Sequence, residues 1–140
     1  MQQLIEFTMN NWILVLAFAL VAVALIYNLL QIDKDSVDPS AATVLINHQN
    51  AVIVDIRPTA DFHKGHIINA LNIPSNGFAN QMGILDKHKD KPIIVSCRSG
   101  AQSSGACRQL KKAGFDQAFN LKGGILAWQN ANLPITRKKK

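Results

Sequence analysis

Cysteine is scarce in this chain, with two among 140 residues, at positions 97 and 107. Two cysteines so placed do not provide the framework of a small disulfide-rich secreted domain. His48, His63 and His88 are scattered and lack the spacing of zinc ligands. Aromatic residues make up only 6% of the sequence and are not interleaved with a basic stripe, unlike in nucleic-acid-binding surfaces. We therefore expect no nucleic-acid partner, no metal and no bound cofactor.

Charged residues are absent from Phe7 to Ile32, and the segment Trp12 to Leu30 is almost entirely apolar. A helix over that segment is about 28 Å long, which is enough to cross the hydrocarbon core of a bilayer. Trp12 and Tyr27 lie near its ends, where amphipathic rings prefer the membrane interface. The sequence therefore predicts one transmembrane helix over residues 12–30.

Two other interpretations of this apolar segment fit less well. A cleaved signal peptide begins with a positively charged region, and Met1 to Asn11 contains no Lys or Arg. A core helix that is apolar all round needs a larger domain to cover it. We expect a single-pass membrane anchor with a short tail before it (residues 1–11) and a polar linker after it (residues 31–37).

The rest of the chain, residues 38–136, alternates between short apolar runs and helix-like stretches. Asp38 and Pro39 predict a helix start, since Asp is a good N-cap and Pro fits the first helical position. Strands are predicted over Ala51–Asp55, Ala70–Ile73, Ile93–Ser96 and Ala118–Leu121, and helices over Asn80–His88, Gln102–Ala113 and Ile125–Asn130. This alternation is typical of an α/β domain with a mainly parallel central sheet.

Cys97 directly follows the apolar run that ends at Ser96, and a short loop with Gly100 separates it from the next helix. In open α/β sheets, ligands bind beyond the carboxyl ends of the strands. Backbone N–H groups at a helix N-terminus favour a thiolate over a thiol. The sequence therefore predicts that Cys97 is a nucleophile near neutral pH. The alternative is a small apolar residue that closes a core strand.

Three parts of the chain resemble signatures of the rhodanese (sulfurtransferase) domain family. They are Cys97-Arg98-Ser99-Gly100; Val54-Asp55-Ile56-Arg57 with Asp61-Phe62 and Gly65 to Pro74; and Leu121 to Trp128. The resemblance covers roughly residues 37 to 136 and implies a three-layer α/β domain around a mainly parallel sheet. It also implies that the Cys97 thiolate takes the outer sulfur of a donor such as thiosulfate or a protein persulfide. Cys97 would then carry that sulfur as a persulfide to a thiol acceptor.

The resemblance assigns the active-site loop to Arg98, Ser99, Gly100, Ala101, Gln102 and Ser103, in addition to Cys97. Arg98 would attract an anionic donor and favour the thiolate, or it is simply an exposed surface charge. Ser99 and Ser103 would add hydroxyl donors, and Gly100 would let the chain curl around the sulfur. Loop N–H groups would hold the persulfide anion.

Gln102 departs from the family pattern, because active rhodaneses often carry an arginine as the sixth loop residue. A neutral amide keeps hydrogen-bond donors but lacks the fixed charge and the bidentate fork of arginine. We therefore expect weak turnover of thiosulfate, or a donor whose recognition does not depend on that charge.

Three residues outside the loop are expected to support it without taking part in the chemistry. Asp55 and Arg57 are expected to form a buried or half-buried ion pair near the site. His66 is expected to fix a turn by hydrogen bonding, since sulfur transfer from an ionised thiolate needs no general base. Cys107 lies within the helix after the loop and is expected to be a buried, small apolar residue.

The charges around the anchor predict its orientation. Lys34, flanked by two aspartates, follows the span, which by the positive-inside rule favours a cytoplasmic C-terminal domain. A working thiolate also needs a reducing compartment. We expect a single-pass protein of the inner (cytoplasmic) membrane with its soluble domain in the cytoplasm, within reach of a membrane-protein partner.

Four of the positive charges behind the net charge of +6 lie in a basic tail, residues 137–140. This tail is either a solvated end or a contact for anionic lipid or an acidic partner.

Three functions stay open at this point. The first is a membrane-anchored sulfurtransferase that works through a Cys97 persulfide. The second is a membrane-tethered interaction module with this fold and little or no turnover, which the absence of arginine at Gln102 favours. The third is a redox sensor in which Cys97 and Cys107 respond to oxidants.

Overall fold

The computed structural model describes residues 1–137, without the side chains of residues 31–33. The chain divides into two compact units, Met1–Lys34 and a larger unit that begins at Asp35. Residues 138–140, which make up most of the predicted basic tail, lie outside the described residues. All residues of the predicted active site belong to the larger unit.

The first unit consists of helix α1 (Gln2–Asn10) and helix α2 (Trp12–Lys34). The backbone leaves helical geometry between them at Asn11, where φ is −122°. The stretch Trp12–Leu30 has a mean hydropathy of 2.8 and none of it is buried. Among the described residues, α2 is the one helix long and apolar enough to span a membrane.

The predicted linker, residues 31–37, differs from expectation because most of it is regular structure. Helix α2 continues to Lys34, and strand β1 (Ser36–Val37) begins two residues later. Gln31 to Lys34 contains neither Pro nor Gly, so no residue there interrupts the helix. The connection between helix and strand is therefore the single residue Asp35.

A five-stranded parallel sheet forms the centre of the larger unit. Its strands are β1, β2 (Val52–Asp55), β4 (Leu71–Asn72), β5 (Ile93–Ser96) and β6 (Ala118–Leu121); β3 (His66–Ile67) and β7 (Ile135–Thr136) form a separate antiparallel pair. The order in the large sheet is β1-β6-β5-β2-β4, and every neighbouring pair is parallel. All residues of β5 are buried. The predicted parallel sheet with β5 inside it is confirmed.

Helices cover both faces of this sheet. They are α3 (Pro39–Gln49), α4 (Thr59–Lys64), α5 (Phe78–Gln81), α6 (Ala101–Lys112) and α7 (Gly124–Asn130). Ile94 of β5 belongs to one core cluster, with residues of α3 and α7, whereas Ile93 and Val95 belong to a second, with residues of α5 and α6. Because successive strand residues point to opposite faces, the two clusters are two core layers. The predicted three-layer α/β architecture is confirmed.

The structure has the predicted start of α3, and α6 ends at Lys112, one residue before the predicted Ala113. The Asp38 side chain accepts a hydrogen bond from the N–H of Ala41 at 2.7 Å, and Pro39 is the first residue of α3. Gly114 follows α6 with φ of +95°, a conformation that glycine adopts without steric cost.

The predicted helix Asn80–His88 is wrong in type. The structure has the short helix α5 followed by a 3₁₀ helix over Met82–His88. Leu85 is the one fully buried residue of that 3₁₀ segment, and Gly83 weakens it further. A stretch that buries so little apolar surface gains too little from packing to hold a regular α-helix.

Candidate active site

The Cys97 loop, defined here as residues 97–103, joins the end of β5 to the first turn of α6. Ser96 is the last strand residue and Ala101 the first helical one, so only Cys97 to Gly100 lie between the two elements. Gly100 has φ of +92°, which turns the chain back toward the sulfur. The predicted order of strand, loop and helix is therefore present, and Cys97 lies at the carboxyl edge of the sheet.

The sulfur of Cys97 lies inside this loop, and the whole residue is only 2% exposed. The N–H of Gly100 donates to its Sγ at 3.0 Å, and the hydroxyl of Ser103 lies 3.3 Å from it. Burial by itself would raise the pKa of the Cys97 thiol. Hydrogen bonds from the Ser103 hydroxyl and from the N–H groups of Ser103, Ser99 and Gly100 outweigh that effect and lower the pKa below its ordinary value. The loop thus stabilises a thiolate.

The outer side of the loop rests on the N-terminal turn of α7. The N–H of Ile125 donates to the carbonyl of Cys97 at 2.9 Å, and the N–H of Leu126 donates to that of Arg98 at 3.3 Å. A Cβ on Gly124 would lie 2.4 Å from the Cys97 carbonyl oxygen, so no other residue fits there without a shift of the loop. These contacts turn the carbonyl groups outward and leave N–H groups to face the sulfur.

Four of the predicted loop residues, Arg98, Ser99, Ala101 and Gln102, are exposed to solvent. Arg98 also lines a cavity of about 310 Å³ beside the loop. Arg57 and Lys64 line the same cavity, together with residues of α7. Asp61 is the one acidic residue of that lining, 3.7 Å from the Lys64 ammonium. The cavity is therefore a mainly cationic approach to the edge of the loop.

The predicted ion pair of Asp55 and Arg57 is present. The Arg57 guanidinium donates to the Asp55 carboxylate through Nη2 at 2.7 Å and through Nε at 3.0 Å. Arg57 Nη2 also donates to the carbonyl of Gly65 at 2.7 Å. Asp55 is 1% exposed, so the pair is deeply buried on the carboxylate side. It ties the end of β2 to the segment after α4.

His66 fixes the same segment. Its Nδ1 lies 2.7 Å from the carbonyl oxygen of Phe62, and the two rings stack with centroids 3.7 Å apart. Among the described residues, neither His66 nor the pair of Asp55 and Arg57 hydrogen-bonds to the Cys97 loop. The turn-fixing role predicted for His66 agrees with these contacts.

Cys107 lies on α6 and is buried in the same core layer as Cys97. Burial raises the pKa of its thiol to about 12, so it stays protonated at neutral pH. Both cysteines are free thiols. A protonated, buried thiol is a poor nucleophile, which matches the predicted apolar role of Cys107.

Sequence reasoning missed Asn120 of β6. This residue is only 7% exposed, and its side chain contacts both Ser103 and the carbonyl of Gly100. An amide in the otherwise apolar strand Ala118–Leu121 was a signal that could have identified it, since Asn is disfavoured in strands and a buried amide needs partners.

The geometry described so far agrees with a comparison to known families. A family model of the rhodanese-like domain matches residues 38–131. The chain belongs to this family. The rhodanese-like chain is 41% identical over 143 residues to "Uncharacterized protein YibN" of Escherichia coli (strain K12), with 99% of this chain and 100% of the relative covered.

Two further comparisons, one in sequence and one in structure, agree with this family. The chain is 35% identical over 105 residues to a "Sulfurtransferase" of Allochromatium vinosum, which covers 75% of this chain and 92% of that protein. The solved structure of a rhodanese-related protein from Thermoplasma volcanium matches with a TM-score of 0.67 at 25% identity, over 74% of this chain and 98% of the other. The rhodanese-like domain is therefore similar to sulfurtransferases in sequence and to rhodanese-related proteins in fold.

Proposed function

We propose that this rhodanese-like protein is a membrane-anchored sulfurtransferase that carries sulfane sulfur as a persulfide on Cys97. The observation that carries the proposal is the buried Sγ of Cys97, which accepts hydrogen bonds from the Cys97 loop and has a lowered pKa. The mass of the intact protein after exposure to a sulfur donor tests it, because a persulfide adds one sulfur atom to Cys97.

The reaction consists of two displacements on sulfur. In the first, the Cys97 thiolate attacks the outer sulfur of thiosulfate; a new S–S bond forms, and sulfite leaves with the electron pair of the old one. In the second, an acceptor thiolate attacks the outer sulfur of the Cys97 persulfide. Cys97 leaves as a thiolate, and the acceptor becomes the persulfide. A persulfide donor follows the same route, with a thiolate as the leaving group in place of sulfite.

The Cys97 loop suits this chemistry because it stabilises negative charge in both states. The N–H groups of Ser99, Gly100 and Ser103 surround Sγ in the thiolate. After sulfur uptake the negative charge moves from Sγ to the outer sulfur of the persulfide. Fixed N–H dipoles stabilise such anions without having to reorganise. Arg98 and the cationic cavity beside it would draw an anionic donor toward the loop.

Gln102→Arg is expected to raise kcat/KM for thiosulfate by about tenfold, because a guanidinium on the first turn of α6 adds charge and a bidentate fork for the dianion. Gln109→Arg is the matched control, since Gln109 is also an exposed glutamine of α6 but lies two turns away. Sulfite release with cyanide as acceptor measures the rate. Equal rates for both variants and the parent chain would show that residue 102 does not limit donor binding.

The second candidate function is a tethered interaction module with little turnover, and the neutral Gln102 favours it. A domain without sulfur uptake from thiosulfate or from a small persulfide would fit this function. The thiolate-stabilising contacts around Cys97 favour the enzyme, because a binding module has no need of them.

Deletion of residues 1–32 is expected to move the protein from the membrane fraction to the soluble fraction while the domain stays folded. The apolar stretch of α2 carries no charge, and the larger unit has its own two-layered core. Fractionation with alkaline carbonate and a thermal unfolding transition measure the two properties. A truncated chain that aggregates would contradict an independent domain, and a full-length chain extracted by carbonate would contradict the anchor.

A cytoplasmic domain on the inner membrane completes the proposal. Its support is the single Lys34 after the span and the need of a thiolate for reducing surroundings. Protease added to intact spheroplasts should leave the domain undigested. Digestion of the domain before the spheroplasts are lysed would place it on the outer side of the inner membrane.

A further inference from the structure

Three buried polar groups meet beside the sulfur of Cys97. Ser103 is 0% exposed, and its Oγ lies 3.3 Å from the Cys97 Sγ and 3.2 Å from the Gly100 carbonyl oxygen. The same hydroxyl is hydrogen-bonded to Oδ1 of Asn120. The Nδ2 of Asn120 donates to the Gly100 carbonyl at 3.1 Å. The side chain of Asn120 thus joins β6 to the middle of the Cys97 loop.

The Gly100 carbonyl determines which way the Asn120 amide points. A carbonyl oxygen only accepts hydrogen bonds, so the NH₂ group of Asn120 must face it. The amide oxygen then faces Ser103, where it needs a donor. A serine hydroxyl carries one proton, and the Asn120 oxygen, the Gly100 carbonyl oxygen and the Cys97 sulfur all lie within reach of it. The Gly100 carbonyl already accepts from Asn120, so the competing acceptors are the Asn120 oxygen and the sulfur.

We propose that Asn120 is a positioning residue that competes with Cys97 for the hydroxyl proton of Ser103. When Sγ is uncharged, as a thiol or as the inner sulfur of a persulfide, Ser103 donates to Asn120. When Sγ is a thiolate, the hydroxyl rotates and donates to the sulfur. The rotation of the hydroxyl itself transfers no proton; when the thiol ionises, its proton goes to solvent. Only the role of the persulfide state rests on the proposed function.

This arrangement links the hydroxyl to the position of the negative charge during turnover. Uptake of sulfur moves the charge from Sγ to the outer sulfur, and Ser103 is then free to return to Asn120. Discharge to the acceptor restores the charge on Sγ, and Ser103 stabilises the leaving thiolate. Asn120 therefore offsets part of the stabilisation of the resting thiolate and favours the loaded state.

The test measures the ionisation of Cys97 in the full-length protein in detergent. The readout is the rate at which iodoacetamide alkylates Cys97 as a function of pH. Mass spectrometry of peptides separates Cys97 from Cys107. Asn120→Leu removes the competing acceptor at similar volume. It is expected to speed alkylation below the pKa by about tenfold, the effect of one hydrogen bond to a charged group. Merely loosening the loop would instead raise the pKa read from the pH dependence, because the thiolate would lose donors.

Ser103→Ala is expected to slow alkylation by about tenfold at the same pH, since the hydroxyl donor is gone. Adding Asn120→Leu to Ser103→Ala should not speed alkylation further, because the competition acts through that proton; the loss of the Asn120 bond to the Gly100 carbonyl can only slow it. The proposal is overturned if Asn120→Leu slows alkylation below the pKa or if it still speeds alkylation without Ser103. If Asn120→Leu does not give a cooperative unfolding transition, Asn120→Ala, which adds no bulk, provides the same comparison with the same two outcomes.

The other ionisable groups around Cys97 stay the same in every variant. They are Arg98 in the loop, Cys107 on α6, and the ion pair of Arg57 with Asp55, the last residue of β2 and the partner of Ser96. Alkylation needs no sulfur donor. A protein that shows the expected alkylation pattern but takes up no sulfur would therefore disprove the sulfurtransferase function and leave the role of Asn120 standing.

Discussion

Replacing Cys97 by serine is expected to abolish the gain of one sulfur atom on incubation with thiosulfate and to lower sulfur transfer by at least about a thousandfold. The Sγ of Cys97 is the one thiol sulfur held by loop N–H groups, and its pKa is lowered. A serine hydroxyl in its place stays protonated at neutral pH and cannot displace sulfite. The fold should survive, because the serine oxygen can accept hydrogen bonds from the same N–H groups.

Cys107→Ala is the matched control for this experiment. Cys107 is also a buried free cysteine, but burial raises its pKa to about 12. Its removal should leave the mass gain intact and cost only the small cavity of one sulfur. A mass gain in Cys97→Ser, or the loss of the mass gain in Cys107→Ala, would show that Cys97 is not the nucleophile. No gain in the parent chain from either thiosulfate or a persulfide donor would favour the interaction module.

Gly124→Ala is expected to have the second-largest effect, with a loss of at least about 2 kcal/mol in the free energy of unfolding. The added methyl group would lie 2.4 Å from the Cys97 carbonyl oxygen and 2.7 Å from the Arg98 carbonyl. Both are backbone atoms of the Cys97 loop and cannot rotate away. The φ of +59° at Gly124 is also unfavourable for a residue with a Cβ.

The same substitution should reduce sulfur transfer and the alkylation rate of Cys97 together, because the displaced loop no longer aims its N–H groups at Sγ. Gly105→Ala is the control in the same region of the fold. A Cβ at Gly105 meets only the far end of the Arg108 side chain at 4.0 Å, and the residue lies within α6. Alanine there should stabilise the protein by about 0.5–1 kcal/mol. Urea unfolding checks both values, and similar stability of the two variants would refute the contact.

The parts of the fold that the sequence predicts well are those with strong local signals. The strand ending at Ser96 is a short apolar run followed by a loop with a glycine, and Asp38-Pro39 is a helix start by residue type alone. Cys97 could be identified because its position between a strand and a helix already implies N–H groups around the sulfur. These features depend on neighbours in the chain, which the sequence shows directly.

The parts that escaped prediction depend on distant contacts. Asn120 bonds to Gly100, twenty residues earlier, once β6 lies beside β5. The pair of β3 and β7 brings His66 opposite Thr136, with two residues in each strand, too few for a periodic pattern. Gly124 lies in a segment that resembles the family, but its contact with the Cys97 carbonyl follows only from the packing of α7 on the loop.

The outward-facing carbonyls of the Cys97 loop also bear on how the protein withstands oxidants. A ring of donors holds any sulfur anion, and this includes a sulfinate formed from the bare thiolate by excess peroxide, a state that cells rarely reverse. When Cys97 carries an extra sulfur, the oxidant meets the outer atom first, and the oxidised group stays attached through a bond that thiols can reduce. On the proposed function, the sulfur-loaded protein would therefore be the form protected from irreversible oxidation of Cys97.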